Sequence, residues 1–199
     1  MTAGSLTLVE STGSRFPDTL TGSGAANVID GRTGPDVVRG LGGNDTFPEG
    51  EFVTGADDIS GGTGRDSVLY GQRRADISVD LDNVADDGAA GEGDNVRSDV
   101  EVVSSGSGDD VLIGNDAANE LSSTAGSDRF EGRGGADALS ALDGTDAGDD
   151  TLLGNGGNDT IRVADDVLDT VQCGNGAQDS VFIDAGLDII VGCELVGTN

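Results

Sequence analysis

The chain has 199 residues and a formal net charge of −28, because 38 acidic residues face only 10 basic ones, all of them arginine. This charge excludes a basic surface for nucleic acid, and the absence of histidine excludes a His-ligated zinc protease, a Ser-His-Asp triad and a Cys-His pair within the chain. With five Phe, one Tyr, no Trp and 35 Gly, the chain is too polar to fold by hydrophobic burial alone, so we expect bound cations in the folded state.

The N-terminal residues 1–12 form an edge segment in our interpretation. Residues 1–10 lack the charged and apolar regions of a signal peptide, and the sequence contains no apolar run long enough for a transmembrane segment. If the protein is exported, either a leader has been removed or export uses another route.

A nine-residue repeat organises most of the chain from residue 13 onward. Each repeat has an acid or amide anchor, followed two positions later by an apolar residue that should face a core. The anchors are Asp18, Asn27, Asp36, Asp45, Asp57, Asp66, Asp110, Asn119, Asp128, Asp137, Asp150, Asp159, Asp169, Asp179 and Asp188. A halophilic surface would scatter its acidic residues, whereas these are periodic, so the pattern favours bound metal.

Glycines concentrate before the anchors, most clearly in residues 61–69, which read GGTGRDSVL. Close copies lie at 31–39, 40–48, 132–140 and 154–162. These units resemble the repeats-in-toxin (RTX) family, whose motif is G-G-x-G-x-D-x-U-x with U apolar. The resemblance covers a first block at 13–69 and a second at 105–191. It implies an all-β fold, a right-handed parallel β-roll (β-solenoid) with two nonapeptide repeats per coil turn and several calcium ions in its turns.

Stacking of the turns explains why this spacing suits calcium. Turns 18 residues apart lie on neighbouring strands, about 4.8 Å apart, so their Asp carboxylates approach and repel each other. A calcium ion between them neutralises the pair and takes about 6–8 oxygen ligands, which carboxylates and backbone carbonyls supply. Metals that prefer thiolate or imidazole lack suitable donors here.

The resemblance also implies a ligand set, in which two stacked turns each give two carbonyls and one Asp. The four sites carried over in this way are Ser14, Phe16 and Asp18 with Gly31, Thr33 and Asp36; Leu41, Gly43 and Asp45 with Gly61, Thr63 and Asp66; Gly106, Gly108 and Asp110 with Ser123, Ala125 and Asp128; and Arg133, Gly135 and Asp137 with Gly154, Gly156 and Asp159. Further turn positions assigned to calcium are Arg32, Gly34, Gly40, Gly42, Thr54, Asp57, Thr124, Gly126, Gly132, Gly134, Thr145, Ala147 and Asp150.

Departures from the motif weaken particular sites. Asn27 and Asn119 stand where Asp is expected, so we predict weak or empty sites there, or structural Asn ladders. The turns before Asp169, Asp179 and Asp188 are looser, which makes these residues weak calcium ligands in our interpretation.

Two insertions stretch the 18-residue spacing. Three extra residues lie near 49–51 and four near 141–144. Pairing of Asp36 with Asp57, or of Asp45 with Asp66, therefore requires the first insertion to bulge outward.

Residues 70–104 break the repeat and form an irregular β insert in our interpretation. Ile77, Val79 and Leu81 alternate with polar residues and predict a strand, and the valines at 100–103 predict another. We expect these strands to continue the roll and to join both blocks into one solenoid. The acidic stretch at 86–94 is either a solvated loop or an extra calcium loop, although it does not match EF-hand spacing.

The C-terminal tail, 192–199, completes a cap. Cys173 and Cys193 follow strands one coil apart on the same side, which predicts a disulfide, with two free core thiols as the alternative. A bridge implies an oxidising, extracellular location. Residues 169–176 together with Cys193 and Glu194 resemble the tails of secreted calcium-binding repeat proteins of high-GC Gram-positive bacteria.

The sequence thus predicts a secreted, extracellular, monomeric structural module that binds Ca²⁺, stays unfolded in low-calcium cytoplasm and folds outside the cell. The alternatives are an adhesin or other extracellular binding module with a cell-surface, matrix or glycan partner, an accessory domain of a secreted enzyme, and an acidic disordered linker. We expect no enzymatic activity of the chain itself, since no nucleophile–base pair is recognisable.

Overall fold

A computed structural model describes residues 10–141, 148–163, 166–184 and 186–198. These residues form β-strands and no helix, so none of them lies in a helix long enough to cross a membrane. The strands are β1 (Glu10–Thr12), β2 (Thr19–Ser23), β3 (Val28–Asp30), β4 (Val37–Gly42), β5 (Thr46–Pro48), β6 (Asp58–Thr63), β7 (Ser67–Leu69), β8 (Ile77–Asp80), β9 (Gly88–Ala89), β10 (Asn95–Val96), β11 (Val102–Ser104), β12 (Val111–Ile113), β13 (Glu120–Ser123), β14 (Arg129–Glu131), β15 (Ala138–Ala141), β16 (Thr151–Gly156), β17 (Thr160–Arg162), β18 (Thr170–Asn175), β19 (Ser180–Ile183), β20 (Ile189–Val191) and β21 (Leu195–Thr198).

The chain alternates between two faces as it winds. One face is a single ten-stranded sheet in the order β1-β3-β5-β7-β11-β13-β15-β17-β19-β21. The other face consists of a four-stranded sheet, β2-β4-β6-β10, and a seven-stranded sheet, β9-β8-β12-β14-β16-β18-β20. Strands pair in parallel, apart from the antiparallel pair β8–β9. The result is a parallel β-solenoid of about nine turns, which confirms the predicted β-roll.

The core is a double column of apolar side chains between the faces. In the ten-stranded sheet the register places Val68, Val103 and Leu121 directly beside one another. The apolar residues that lie two positions after other anchors are also buried, including Ile29, Val38, Phe47, Ile59, Leu112, Phe130, Leu139, Leu152, Ile161, Val171 and Val181. Leu20 and Ile190 are only partly buried, because they belong to the first and last coils. Burial of one such side chain contributes about 1.5–3 kcal/mol, so regular repetition builds a core with few aromatic residues.

The insert forms a seam between the two blocks. Strand β8 follows β7 in the chain but pairs with β12, whereas β10 returns to pair with β6 and β11 pairs with β7. The predicted strand at Ile77 is therefore confirmed, and the valines predicted to form a second strand contribute Val102 and Val103 to β11. Val100 lies just before β11 and is fully buried.

The acidic stretch 86–94 is not a solvated loop, so that interpretation was wrong. Asp87, Glu92 and Asp94 are buried, and Asp87 and Asp94 form an antiparallel bridge across the seam. Burial of Asp94 and Asp87 is tolerated because each accepts a hydrogen bond from a backbone N–H group. Asp94 accepts from Asp57 at 2.9 Å, and Asp87 accepts from Val96 at 2.8 Å.

A buried arginine holds the seam together. Arg73 is 2% exposed and donates both terminal nitrogens to the Glu92 carboxylate, at 2.9 and 3.0 Å. It also donates to the carbonyls of Glu49 and Gly50. Glu92 in turn accepts the N–H of Thr54 at 2.9 Å. Both ends of the first insertion are thereby fixed to the seam.

The predicted disulfide is confirmed. Cys173 and Cys193 are bonded, with their Cα atoms 5.1 Å apart. Because Cys173 lies in β18 and Cys193 between β20 and β21, the bridge joins the last coil to the one below it.

Candidate metal sites in the stacked turns

The turns at each edge of the solenoid are joined by a ladder of acidic side chains. At each step the backbone N–H of an anchor donates to one carboxylate oxygen of the anchor one coil later, at 2.7–3.1 Å. The first ladder contains Asp18, Asp36, Asp57 and Asp94 before the seam, and Asp110, Asp128, Asp150, Asp169 and Asp188 after it. Asp18 and Asp36, one of the pairs predicted to stack, are in direct contact through this bond at 2.8 Å.

The second ladder, at the opposite edge, has the same geometry. Its distances lie between 2.7 and 2.9 Å. It contains Asn27, Asp45, Asp66 and Glu101 before the seam, and Asn119, Asp137, Asp159, Asp179 and Glu194 after it. Both parts of the second ladder therefore begin with Asn and end with Glu.

The seam divides the ladders. Below Asp110 the stacked residue is Ile77, whose N–H donates to the Asp110 carboxylate at 2.9 Å but whose side chain carries no oxygen. At the other edge, the N–H of Glu101 donates to the backbone carbonyl of Asp66 at 3.2 Å and not to the side chain of Asn119 one coil later. Each block consequently has its own stack of carboxylates.

One carboxylate oxygen in many anchors is buried and has no hydrogen-bond partner among the described residues. These atoms are the Oδ2 oxygens of Asp36, Asp45, Asp66, Asp137, Asp159 and Asp179. A buried oxygen without a partner costs about 1–3 kcal/mol, and more when it is charged. A hard cation is the natural partner for carboxylate oxygens that no N–H reaches.

Glycine keeps space open around these oxygens. A Cβ at Gly31 would lie 2.6 Å from Asp36 Oδ2, too close for any side chain. At Gly64, φ is +148° and a Cβ would overlap the carbonyl oxygen of Gly43 in the coil below. The motif glycines therefore allow the turns to stack closely and leave the carboxylates uncovered.

Burial makes these carboxylates hard to ionise without a cation. It raises the pKa of Asp137 to about 7, and the neighbouring charge of Asp159 adds to this effect against a hydrogen bond from Asn119. Burial likewise raises the pKa of Asp57 and Asp66 to about 6. A divalent cation removes this cost, because it favours the ionised form.

The structure brings together all four pairs of turns proposed from the sequence. The ladder bonds from Asp18, Asp45, Asp110 and Asp137 join one turn of each pair to the next. Turn carbonyls face the neighbouring turn as well, with Ser14 O accepting Thr33 N at 3.3 Å, Thr63 O accepting Gly43 N at 2.9 Å, Gly106 O accepting Thr124 N at 3.1 Å and Arg133 O accepting Gly156 N at 2.9 Å. A carbonyl has a second lone pair for a metal. Ligation by these residues stays a prediction, and Thr145 and Ala147 lie outside the described residues.

Backbone carbonyls are needed for these sites. In the part of the chain that the structure describes, no group of three or more Cys, Asp and Glu side chains is placed to hold a metal by itself. A cation in the turns would therefore be shared between stacked carboxylates and turn carbonyls, as the motif predicts.

The first insertion bulges outward, and the stack continues across it. Phe52 and Val53 are 72% and 56% exposed. Asp36 and Asp57 nevertheless form a ladder bond of 2.7 Å across the insertion. Thr54 lies in the turn as predicted, where its carbonyl accepts the N–H of Gly34 at 2.7 Å.

Asn27 and Asn119 act as ladder members without a carboxylate. The side-chain oxygen of Asn119 accepts the N–H of Asn115 at 2.8 Å, and its backbone N–H donates to Asp137 at 2.8 Å. Asn27 makes the equivalent bonds to Ser23 and Asp45. An amide can therefore keep the geometry of the stack without supplying charge.

Sequence reasoning did not assign Asp94, Glu101 and Glu194 to the ladders. Each is followed two residues later by valine, the same acid-x-apolar pattern that marks the other anchors. The irregular spacing concealed them, since Glu101 follows Asp94 by seven residues and Glu194 follows Asp188 by six.

Comparison with known families agrees with this geometry. The family model described as RTX calcium-binding nonapeptide repeat (4 copies) matches residues 12–47, 53–71, 98–126, 104–139, 113–147 and 145–166, more than half of the chain. The chain belongs to this RTX repeat family. RTX nonapeptide repeats bind calcium, so calcium ions are the cofactors of this RTX chain. No curated protein matches the RTX chain.

Proposed function

We propose that this RTX chain is a secreted structural module that is unfolded in low calcium and folds when calcium binds outside the cell. The observation that carries the proposal is the set of buried Oδ2 oxygens without partners, arranged in two ladders along the solenoid. A stack of carboxylates with unused oxygens is unfavourable without cations.

Linkage converts calcium binding into folding. An ion that binds only the folded chain stabilises it by about 2.7 kcal/mol per site when its concentration is 100 times the dissociation constant. Several sites together can therefore outweigh the entropy lost by the glycine-rich turns. At low calcium the same turns repel one another and oppose folding.

The disulfide supports an extracellular place of action, since such bonds persist in oxidising environments. The ladder carboxylates support a structural role for the chain and not a catalytic one, because each holds a backbone N–H of the preceding turn. In this proposal the solenoid is a stiff spacer in an extracellular matrix or near a cell surface.

Circular dichroism with calorimetric calcium titration tests the proposal. We expect coil in chelator and β-structure in millimolar calcium. Asp137→Asn should keep the hydrogen bond to Asn119, as the natural Asn ladder members do, but should lower the number of bound calcium ions and the melting temperature in calcium. The control is Glu51→Gln, which removes one exposed acid outside the ladders and should change neither quantity. Equal β-structure and equal melting temperature with and without chelator would contradict the proposal.

A further inference from the structure

We call a ladder residue together with the strand that follows it a rung. The last rung of the solenoid resembles the rung at the seam. Glu101 accepts the N–H of Asp66 at 2.8 Å, and Glu194 accepts the N–H of Asp179 at 2.9 Å. The residues around them correspond, with Val100-Glu101-Val102-Val103 at the seam and Cys193-Glu194-Leu195-Val196 at the end. In both places the glutamate closes a ladder and leads into a strand of the ten-stranded sheet.

The two rungs differ in what covers them. At the seam, Val102 and Val103 are 9% and 0% exposed, because β11 pairs with β13 of the following coil. That coil also supplies hydrogen-bond partners for the far edge of β11, where the N–H of Ser105 donates to the carbonyl of Ser122 at 2.8 Å. At the end, the corresponding Leu195 and Val196 are 59% and 52% exposed.

The exposed apolar surface extends to the other face of the same end. Leu187, Ile189 and Val191 are between 47% and 55% exposed, and β20 is the edge strand of the seven-stranded sheet. Both faces therefore end in an apolar strand edge that has the form of an interior rung.

We propose that this C-terminal end binds the first coil of a second copy of the chain, head to tail, in the presence of calcium. The seam is the precedent within the molecule, since there the same kind of rung carries another coil of the same repeat. The first coil presents β1 and β2, which are the opposite edges of the two faces, so head-to-tail stacking continues both faces with parallel strands. The proposal rests on the proposed function, because it requires the calcium-folded solenoid.

Charge favours head-to-tail over tail-to-tail association. The last rung carries Asp184, Asp188 and Glu194, and no basic residue follows Arg162 in the sequence. Two tails in contact would place these acids against identical acids. The first coil offers the exposed Arg15, beside Phe16, which is 61% exposed.

Sedimentation velocity of the full chain in millimolar calcium tests this inference, and circular dichroism of each sample checks its fold. We expect the mass to rise reversibly with protein concentration. Val196→Asp places a charge in the contact and should weaken association by more than about tenfold, whereas Val196→Ile should preserve it. Arg15→Glu should also weaken association. Phe52→Asp and Arg74→Glu, which alter exposed residues away from both ends, are the matched controls and should associate normally.

Mixing the variants decides the geometry. Val196→Asp retains an intact first coil, and Arg15→Glu retains an intact C-terminal end. Their equimolar mixture should therefore form dimers that neither variant forms alone. A folded chain that stays monomeric at all concentrations, as the sequence alone led us to expect, would overturn the inference. Self-association of Arg15→Glu at wild-type strength would overturn the head-to-tail geometry. A chain that gains no β-structure in calcium would instead contradict the proposed function.

Discussion

At the residue scale, several turns have a left-handed backbone at a second position that is not always glycine. Leu41 has φ of +78° and Arg133 of +69°, whereas Gly62, which pairs with Leu41 one coil later, has φ of +103°. A residue with a Cβ is strained in this region by about 1–2 kcal/mol. The carbonyls of Leu41 and Arg133 are predicted ligands, so this strain lies at two of the predicted metal sites.

We therefore expect Leu41→Gly to stabilise the calcium-bound solenoid by about 0.5–1 kcal/mol, after the greater entropy of glycine in the unfolded chain is subtracted. The reverse change one coil later, Gly62→Ala, should destabilise it by about 1–3 kcal/mol, because the Cβ would contact the Leu41 carbonyl. Urea denaturation in saturating calcium measures both. A loss of stability in Leu41→Gly would show that the leucine side chain matters more than its backbone.

At the element scale, the seam depends on one buried ion pair. If Arg73 is replaced by Met, Glu92 remains buried without its cation, and we expect a loss of about 3–5 kcal/mol. Arg65→Met is the control, since its pair with Glu120 is exposed and should contribute less than about 1 kcal/mol. Denaturant titration in calcium gives both values, and equal losses would argue against a special role of the seam.

The disulfide is a second stabilising interaction at the scale of the elements. It joins residues separated by 20 positions, so the chain-entropy model assigns it about 3 kcal/mol. We expect the double variant Cys173→Ser and Cys193→Ser to increase hydrogen exchange in β20 and β21. Exchange in β12, far from the bridge, is the internal control and should not change. Unaltered protection of β20 would mean that packing alone secures the last coil.

The nonapeptide strands and two strands of the insert could be predicted from the sequence, but the polar contacts of the seam could not. Strands such as β12 and β14 follow from the nine-residue register, because every anchor fixes which side chain faces the core. The burial of Glu92 depends on Arg73, 19 residues earlier, and no local sequence pattern predicts that ion pair. The ladder positions of Asp94 and Glu101 were likewise hidden, because irregular spacing replaces the nonapeptide there.

At the scale of the whole molecule, protons and calcium compete for the same oxygens. The pKa values of Asp57, Asp66 and Asp110 lie at about 6 and that of Asp137 at about 7 in the folded chain, above the usual 3.8, because of burial and neighbouring charges. The calcium-free fold therefore binds protons more tightly than the unfolded chain. Its stabilisation by protons is complete below about pH 3.8 and is lost as the pH rises through 6 to 7.

Two pH dependences of opposite sign follow. In chelator, β-structure should increase as the pH falls from 7 to 4. In calcium, the affinity for the ion should decrease over the same range, since binding requires ionised carboxylates. Circular dichroism and calcium titration at several pH values measure these trends. Apo β-structure that decreases on acidification would contradict the raised pKa values.

The direction of the ladder bonds has a consequence for folding during synthesis. Each anchor that is followed by another in its ladder donates its N–H to an acceptor that the chain supplies about one coil later. A polypeptide that emerges N-terminus first always ends in a coil whose acceptors have not yet appeared. Completion thus waits for the last segment to arrive, and a truncation at the C-terminus should harm the solenoid more than one of equal length at the N-terminus.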